Sequence, residues 1–277
     1  MSLSRRSFLA STGAVLAATN RFDGFHIGVT DWNLQQTGKL EAVTLAKSLG
    51  FDGVQISLGR KPVDDKLPLD NAEMQAQYLQ QSRQDGIPLD GTCLDILHVN
   101  YLKNDKLGQR WVSDGIGITR KLGARVMLLP FFGKGALTTH AEMDYVGDAL
   151  KELAAEAEKA QVILGLEDTI SAEDNVRILD RVKSKAALVY YDVGNSTNAG
   201  FDPVKEIRWL GKQRICQIHL KDNPHYLGEG KIDFKAVLQA IADIRFAGFA
   251  NLETSSPSKS IEQDMRRNLQ YIRALMG

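Results

Sequence analysis

The sequence has no excess charge of either sign, few cysteines and no long apolar run. Its 34 basic and 34 acidic residues cancel in a chain of 277, so the charge balance indicates neither nucleic acid nor an anionic membrane as a partner. The two cysteines, Cys93 and Cys216, stand far apart in apolar segments, which favours two free thiols inside strands over a disulfide. No Gly-rich or Pro-rich linker and no low-complexity tract divides the chain. One large domain therefore fits the length.

The apolar stretch near the N-terminus, residues 8–18, is too short to span a bilayer as a permanent anchor. It follows the pair Arg5-Arg6, and an arginine pair ahead of a short apolar segment is typical of a bacterial twin-arginine export signal. We therefore expect residues 1–20 to be a cleavable signal peptide and the mature protein to be periplasmic or otherwise exported. The alternative is an amphipathic N-terminal helix of the mature protein.

Short apolar runs alternate with segments of helical period from residue 26 to the C-terminus. Several runs are nearly continuous in Val, Ile and Leu, as expected for strands that are buried on both faces of a parallel sheet. The runs are 26–33, 53–58, 88–97, 125–132, 162–168, 188–195, 215–222 and 249–254. Eight strand–helix units predict an α/β fold, a single (β/α)8 TIM barrel over residues 26–277. An open doubly wound sheet is the alternative.

Ionisable residues stand at the ends of the last four predicted strands. Glu167, Asp192, His219 and Glu253 follow one another at intervals of about one strand–helix unit. Active sites of TIM barrels lie at the C-terminal ends of the strands, so these side chains are predicted to converge. Three carboxylates that converge would repel one another unless a cation lay among them. The set suits one divalent ion such as Mn2+, Mg2+, Co2+ or Zn2+; the alternative is that each acid caps a helix or pairs with a lysine.

Five short motifs contain or follow these residues. They are Gly165-Leu166-Glu167, Tyr191-Asp192-Val193-Gly194-Asn195, Ile218-His219-Leu220-Lys221-Asp222, the segment 227–234 and Leu252-Glu253. Through them the chain resembles the xylose-isomerase-like TIM-barrel superfamily, specifically its sugar-phosphate isomerase and ketose 3-epimerase branch. The likeness is strong over residues 160–256 and looser over 26–135. It implies that the four ionisable residues form the metal site. It also implies that Glu167 and Glu253 act as acid–base catalysts, while Asp192 and His219 are ligands only.

The chemistry of two glutamates beside a metal ion agrees with these roles. Removing a proton next to a carbonyl leaves an enediolate, whose negative charge a divalent cation stabilises. Two carboxylates on opposite faces of the carbon remove and return that proton, which inverts the centre. We therefore expect an isomerase or epimerase of a sugar or sugar-like substrate. A metal-dependent lyase acting on an oxidised sugar or glycoside needs the same four residues and stays open. A non-catalytic sugar-binding protein and a nuclease resembling endonuclease IV are further alternatives.

Four residues are predicted to contact the substrate: Asn195, His225 and Lys221, which lie in or beside these motifs, and His98, which lies upstream of them. The epimerases that the chain resembles often carry a histidine at the position of Asn195 and an arginine at that of His225. These departures leave the metal chemistry intact but put the identity of the sugar in doubt. His98 follows the third predicted strand, where a structural loop histidine is the alternative. A small carbohydrate is the expected partner, with no nucleic acid and no permanent membrane span, and a homo-oligomer stays open.

Overall fold

Eight parallel strands close into a barrel in the computed structural model, which describes residues 21–277. The strands pair in chain order, and the last pairs with the first. They are β1 (Phe25–Thr30), β2 (Gly53–Ser57), β3 (Leu89–Cys93), β4 (Val126–Pro130), β5 (Ile163–Glu167), β6 (Ala187–Asp192), β7 (Ile215–Leu220) and β8 (Gly248–Leu252). The predicted (β/α)8 barrel is confirmed, and the closing pair excludes an open sheet. The predicted export signal at 1–20 lies outside the described residues.

Helices connect the strands and cover the outside of the barrel. The described helices are α1 (Glu41–Leu49), α2 (Ala72–Asp85), α3 (Lys106–Lys121), α4 (His140–Ala160), α5 (Ala172–Val182), α6 (Val193–Asn198), α7 (Pro203–Leu210), α8 (Phe234–Asp243) and α9 (Ile261–Met276). Polar N-caps begin several of them, and Thr139 and Glu142 form a capping box at the start of α4. None of the described helices is long and apolar enough to cross a membrane.

The third strand is shorter than the sequence predicts. The apolar run 88–97 continues past its end, but β3 stops at Cys93 and a 3-10 turn follows at Asp95–His98. In this turn Leu97 N–H donates to the Leu94 carbonyl, so local hydrogen bonds replace the sheet ladder. The turn brings Asp95 and His98 to the mouth of the barrel, where both line a cavity.

The barrel interior contains a layer of buried polar side chains among its apolar ones. This polar layer consists of Gln55, Asp90, Tyr190, Gln217 and Asn251. Asp90 Oδ1 accepts hydrogen bonds from Gln217 Nε2 and Asn251 Nδ2, each 3.0 Å long. Gly28 and Gly53 make room for it, because a Cβ on either would come within 2.5 Å of Asp90 Oδ2. Because its members hydrogen-bond one another, the layer is held in one arrangement beneath the mouth.

Both cysteines are free thiols, as the sequence predicts. Cys93 in β3 is buried, and Cys216 in β7 is partly buried. Burial raises the pKa of both thiols above their ordinary value, so they stay protonated at neutral pH. Neither is a candidate nucleophile.

Candidate active site

The four ionisable residues predicted at strand ends meet at the C-terminal mouth of the barrel. Glu167 and Asp192 are the last residues of β5 and β6, His219 is next to last in β7, and Glu253 directly follows β8. One ligand atom from each lies within 4.8 Å of every other. The register explains this meeting, because Asp192 pairs directly with His219 across neighbouring strands.

His219 lies at the centre of this cluster. Its Nδ1 is 2.9 Å from Glu167 Oε1, 3.5 Å from Glu253 Oε2 and 3.7 Å from Asp192 Oδ2. His219, Glu167 and Asp192 are buried, and Glu253 is partly exposed to the cavity. Burial alone would lower the pKa of His219, but the carboxylates of Glu167 and Glu253 raise it to about 10. Three carboxylates thus converge on one ring nitrogen.

The other ring nitrogen of His219 is fixed by the polar layer. Its Nε2 donates to Gln55 Oε1 at 2.9 Å, and the same amide oxygen accepts the Tyr190 hydroxyl at 3.0 Å. An amide oxygen only accepts hydrogen bonds, so Nε2 carries a proton and Nδ1 is the atom that faces the carboxylates. The sequence prediction missed Gln55. Its one signal was a polar residue in the middle of the apolar run 53–58.

Lys221 places a positive charge among the carboxylates. Its Nζ is 2.7 Å from Asp192 Oδ2 and 2.5 Å from Glu253 Oε2. Burial alone would raise the pKa of Asp192, but Lys221 and His219 hold it well below its usual range. Burial alone would also lower the pKa of Lys221, but Asp192 and Glu253 raise it. Glu167 differs: burial raises its pKa to about 8, although His219 offsets part of the rise.

The donor set fits a divalent cation. Three carboxylates and one imidazole offer oxygen and nitrogen ligands, which suit Mn2+, Mg2+, Co2+ or Zn2+. Asp192 Oδ2 is buried and, despite the nearby Lys221 ammonium, makes no hydrogen bond of normal geometry. Its other oxygen accepts the Asn195 backbone N–H at 2.7 Å. A carboxylate that is anchored by one oxygen and has its other oxygen turned into the cluster is suited to bind a metal ion.

A cavity of about 440 Å³ opens above the cluster, within the size range of small-molecule sites. Three of the four predicted substrate contacts line it, namely Asn195, His98 and Lys221. His225 lies on an exposed loop and is not part of the cavity lining. Its contact with the substrate stays a prediction.

Two aromatic side chains form walls of this cavity. Trp32 follows β1, and its Nε1 donates to Glu253 Oε1 at 2.9 Å. Phe132 follows β4 and stacks on His98, with ring centroids 6.2 Å apart and an angle of 25° between the rings. Flat apolar walls beside polar groups suit a sugar, which presents C–H faces and hydroxyl edges. The fold and site together define a TIM barrel with a candidate metal centre at its mouth.

Comparison with known proteins identifies the family. The family model described as xylose isomerase-like TIM barrel matches residues 43–275, and the chain belongs to this family. A 2-epi-5-epi-valiolone 7-phosphate 2-epimerase from Actinoplanes sp. is 25% identical over 72% of this chain and 73% of its own length. A putative L-ribulose-5-phosphate 3-epimerase from Escherichia coli K12 is 26% identical over 75% of this chain and 80% of its own.

Solved structures share the same barrel. A 3-keto-D-glucoside 4-epimerase from E. coli superposes with a TM-score of 0.73 at 17% identity, covering 90% of this chain and 99% of its own. A D-psicose 3-epimerase from Clostridium cellulolyticum H10, solved with D-tagatose, gives 0.75 at 16%, covering 91% and 99%. The IOLI protein with a bound zinc atom gives 0.71 at 17%, covering 91% and 98%. At these identities the likeness establishes the shared fold.

Proposed function

We propose that this protein is a divalent-metal-dependent epimerase or isomerase of a sugar or sugar-like substrate. The observation that carries the proposal is the cluster itself. Two glutamates, Glu167 and Glu253, line one sugar-sized cavity, and both contact His219 Nδ1. The relatives and structural neighbours named as sugar epimerases support the reaction class. A bound divalent cation would stabilise the negative charge that develops when a proton leaves the carbon next to a carbonyl.

In this proposal, different residues of the site transfer the proton, orient the catalytic carboxylates and bind the cation. Glu167 and Glu253 exchange the proton at the substrate carbon, one removing it and the other returning it. Trp32 and Lys221 hold the two oxygens of Glu253, which limits the orientations of this carboxylate. Asp192 and His219 would hold the cation without exchanging protons with the substrate. Burial raises the pKa of Glu167, which makes its carboxylate a stronger base, and a bound cation would favour the ionised form that accepts a proton.

The test replaces each glutamate by glutamine. Glu167→Gln and Glu253→Gln keep an oxygen for the cation but lose the basic carboxylate. Each should still bind Mn2+, although less tightly, while turnover falls by about 10²–10⁴. Activity is followed as deuterium incorporation from heavy water into free ketoses and 3-keto-glycosides, and product analysis separates an epimer from the products of a lyase.

Glu152→Gln, on the exposed face of α4, serves as the matched control and should behave as wild type. If Glu167→Gln and Glu253→Gln keep full turnover in protein shown to hold metal, the proton-transfer roles are wrong. Full wild-type activity after exhaustive chelation would contradict metal dependence.

We also propose that the protein is exported by the twin-arginine route. The support is the pair Arg5-Arg6 ahead of the apolar stretch 8–18. Replacing both arginines by lysine should leave the precursor in the cytoplasm with its activity unchanged, as measured by cell fractionation and by the heavy-water assay. Normal export of the double-lysine protein would refute this proposal.

A further inference from the structure

The cavity has a second polar wall, on the β2–β3 side of the barrel. In a closed barrel of eight strands, β3 lies across from β7, which carries His219. Ser57 ends β2, and Asp95 and His98 lie in the turn after β3; all three line the cavity. None of them belongs to the cluster of candidate metal ligands. A substrate that fills this cavity and reaches the cluster would therefore also meet this wall, on the opposite side of the barrel from His219.

Asp95 is held firmly in this wall. The Ser57 hydroxyl donates a hydrogen bond to Asp95 Oδ2. Ser57 is itself fixed, because its backbone N–H donates to the buried Asp31 Oδ2 at 3.0 Å and its hydroxyl oxygen accepts Gly59 N–H. One oxygen of Asp95 is thus committed to the protein. The other oxygen, Oδ1, is the one on the side of His98.

The spacing between Asp95 and His98 suits a bridging hydroxyl group. His98 Nε2 lies 4.0 Å from Asp95 Oδ1, which is too long for a direct hydrogen bond. A hydroxyl group of the ligand spans this distance if it donates to the carboxylate and accepts from the imidazole. Its oxygen then makes two contacts of about 2.8 Å, with an angle of about 90° between them. The ring of His98 is supported by Phe132, on which it stacks.

The charges of the wall favour an uncharged ligand. Burial raises the pKa of Asp95, although the Ser57 hydroxyl offsets part of the rise. Burial lowers the pKa of His98 despite the nearby Asp95, so its imidazole is neutral at neutral pH and donates through one nitrogen. A phosphate dianion would be repelled by an ionised Asp95. Arg60 lines the same cavity and is exposed; it is the group that a phosphate would contact instead.

We propose that Asp95 and His98 form a subsite that binds one remote hydroxyl group of the sugar, with Asp95 accepting and His98 Nε2 donating. This proposal rests on the proposed function and deepens it. According to this proposal, Asp95 and His98 determine the specificity of the enzyme among sugars that react at the same carbon. The ligand is an uncharged, hydroxyl-bearing segment of a sugar or glycoside, in contact with the ring of Phe132.

The test uses Mn2+-loaded enzyme, the heavy-water assay and a panel of D-fructose, D-allulose and D-tagatose with their monodeoxy analogues. His98→Phe keeps a ring against Phe132 but loses the N–H donor, and Asp95→Asn replaces the acceptor oxygen by an amide. Each variant should raise KM for the intact sugar by roughly three- to tenfold, the effect of one hydrogen bond, with little change in kcat. For one deoxy analogue the variants should match wild type, and that analogue identifies the bound hydroxyl.

Matched controls are His140→Phe and Asp64→Asn, both at exposed positions; neither should change KM. All four variants should bind Mn2+ as wild type does, which separates this subsite from the metal ligands. The subsite is refuted if His98→Phe and Asp95→Asn leave KM unchanged, or raise it equally for every deoxy analogue. The subsite is also refuted if a phosphorylated ketose binds more tightly than its free sugar to wild type and this difference in affinity disappears in Arg60→Gln. If metal-loaded wild type exchanges neither this panel nor the 3-keto-glycosides, the proposed function itself fails.

Discussion

At the scale of single residues, Lys221 lies both in the cavity lining and among the candidate metal ligands. It lines the cavity, as a residue that contacts the substrate would. Its ammonium, however, lies between two of the candidate metal ligands, Asp192 and Glu253. Gly194 allows this position, because a Cβ there would come within 2.5 Å of Lys221 Cγ. The lysine neutralises part of the charge of the cluster, and it also competes with a divalent cation for the same oxygens.

This competition makes a prediction for metal affinity. Lys221→Met should bind Mn2+ more tightly by about tenfold or more, because a positive charge that repels the cation and occupies its ligands has been removed. Titration calorimetry on metal-stripped protein measures the change. Lys235→Met, at an exposed position on α8, is the control and should bind like wild type. Weaker binding by Lys221→Met would mean that the lysine holds the ligands in place more than it competes with the metal.

At the scale of elements, β2 positions His219, the candidate metal ligand of β7. Gln55 reaches across the barrel interior to His219 Nε2 and thereby keeps Nδ1 facing the carboxylates. Gln55→Leu should weaken Mn2+ binding by about 10- to 100-fold, as loss of a hydrogen bond behind a ligand does. Nitrogen-15 NMR of the His219 ring in Zn2+-loaded protein should report a changed tautomer. Gln217→Leu is the control, because Gln217 lies in the same polar layer but donates its hydrogen bond to Asp90 and not to His219. It should lower stability without this spectral change, and equal effects of both variants would contradict the positioning role.

The elements also show what the sequence can and cannot predict. The strand ends that carry Glu167, Asp192 and His219 could be predicted, because a polar residue that ends an apolar run is a local signal and the barrel rule then places all such ends together. The contact between Gln55 and His219 could not, since it depends on the register across the barrel. Asp95 was missed because the apolar residues after it continue the run of β3, whereas local hydrogen bonds turn the chain.

At the scale of the whole molecule, buried carboxyl groups couple folding to pH. Asp31 and Asp90 are both buried. Burial raises the pKa of each to about 7, although backbone N–H groups offset part of the rise for Asp31, and Asn251 and Gln217 offset part of it for Asp90. An unfolded aspartate titrates near 3.9, so between about pH 4 and 7 these two groups bind more protons in the folded protein than in the unfolded chain. The contribution of these two groups to the free energy of unfolding therefore falls as pH rises through this interval, and their part of the fall ends above their folded pKa.

Replacing Asp90 by asparagine isolates one of these groups. Asp90→Asn keeps an oxygen that can accept from Gln217 and Asn251, and it places an amide where Asp90 Oδ2 has no partner. Its free energy of unfolding should fall less steeply than that of wild type between pH 5 and 7, by up to about 1.4 kcal/mol per pH unit. Urea unfolding of metal-stripped protein across this range measures both slopes, and the exposed Asp23→Asn should keep the wild-type slope. Parallel curves for Asp90→Asn and wild type would show that Asp90 is ionised throughout this range, and that the polar layer stabilises a buried charge instead of a neutral acid.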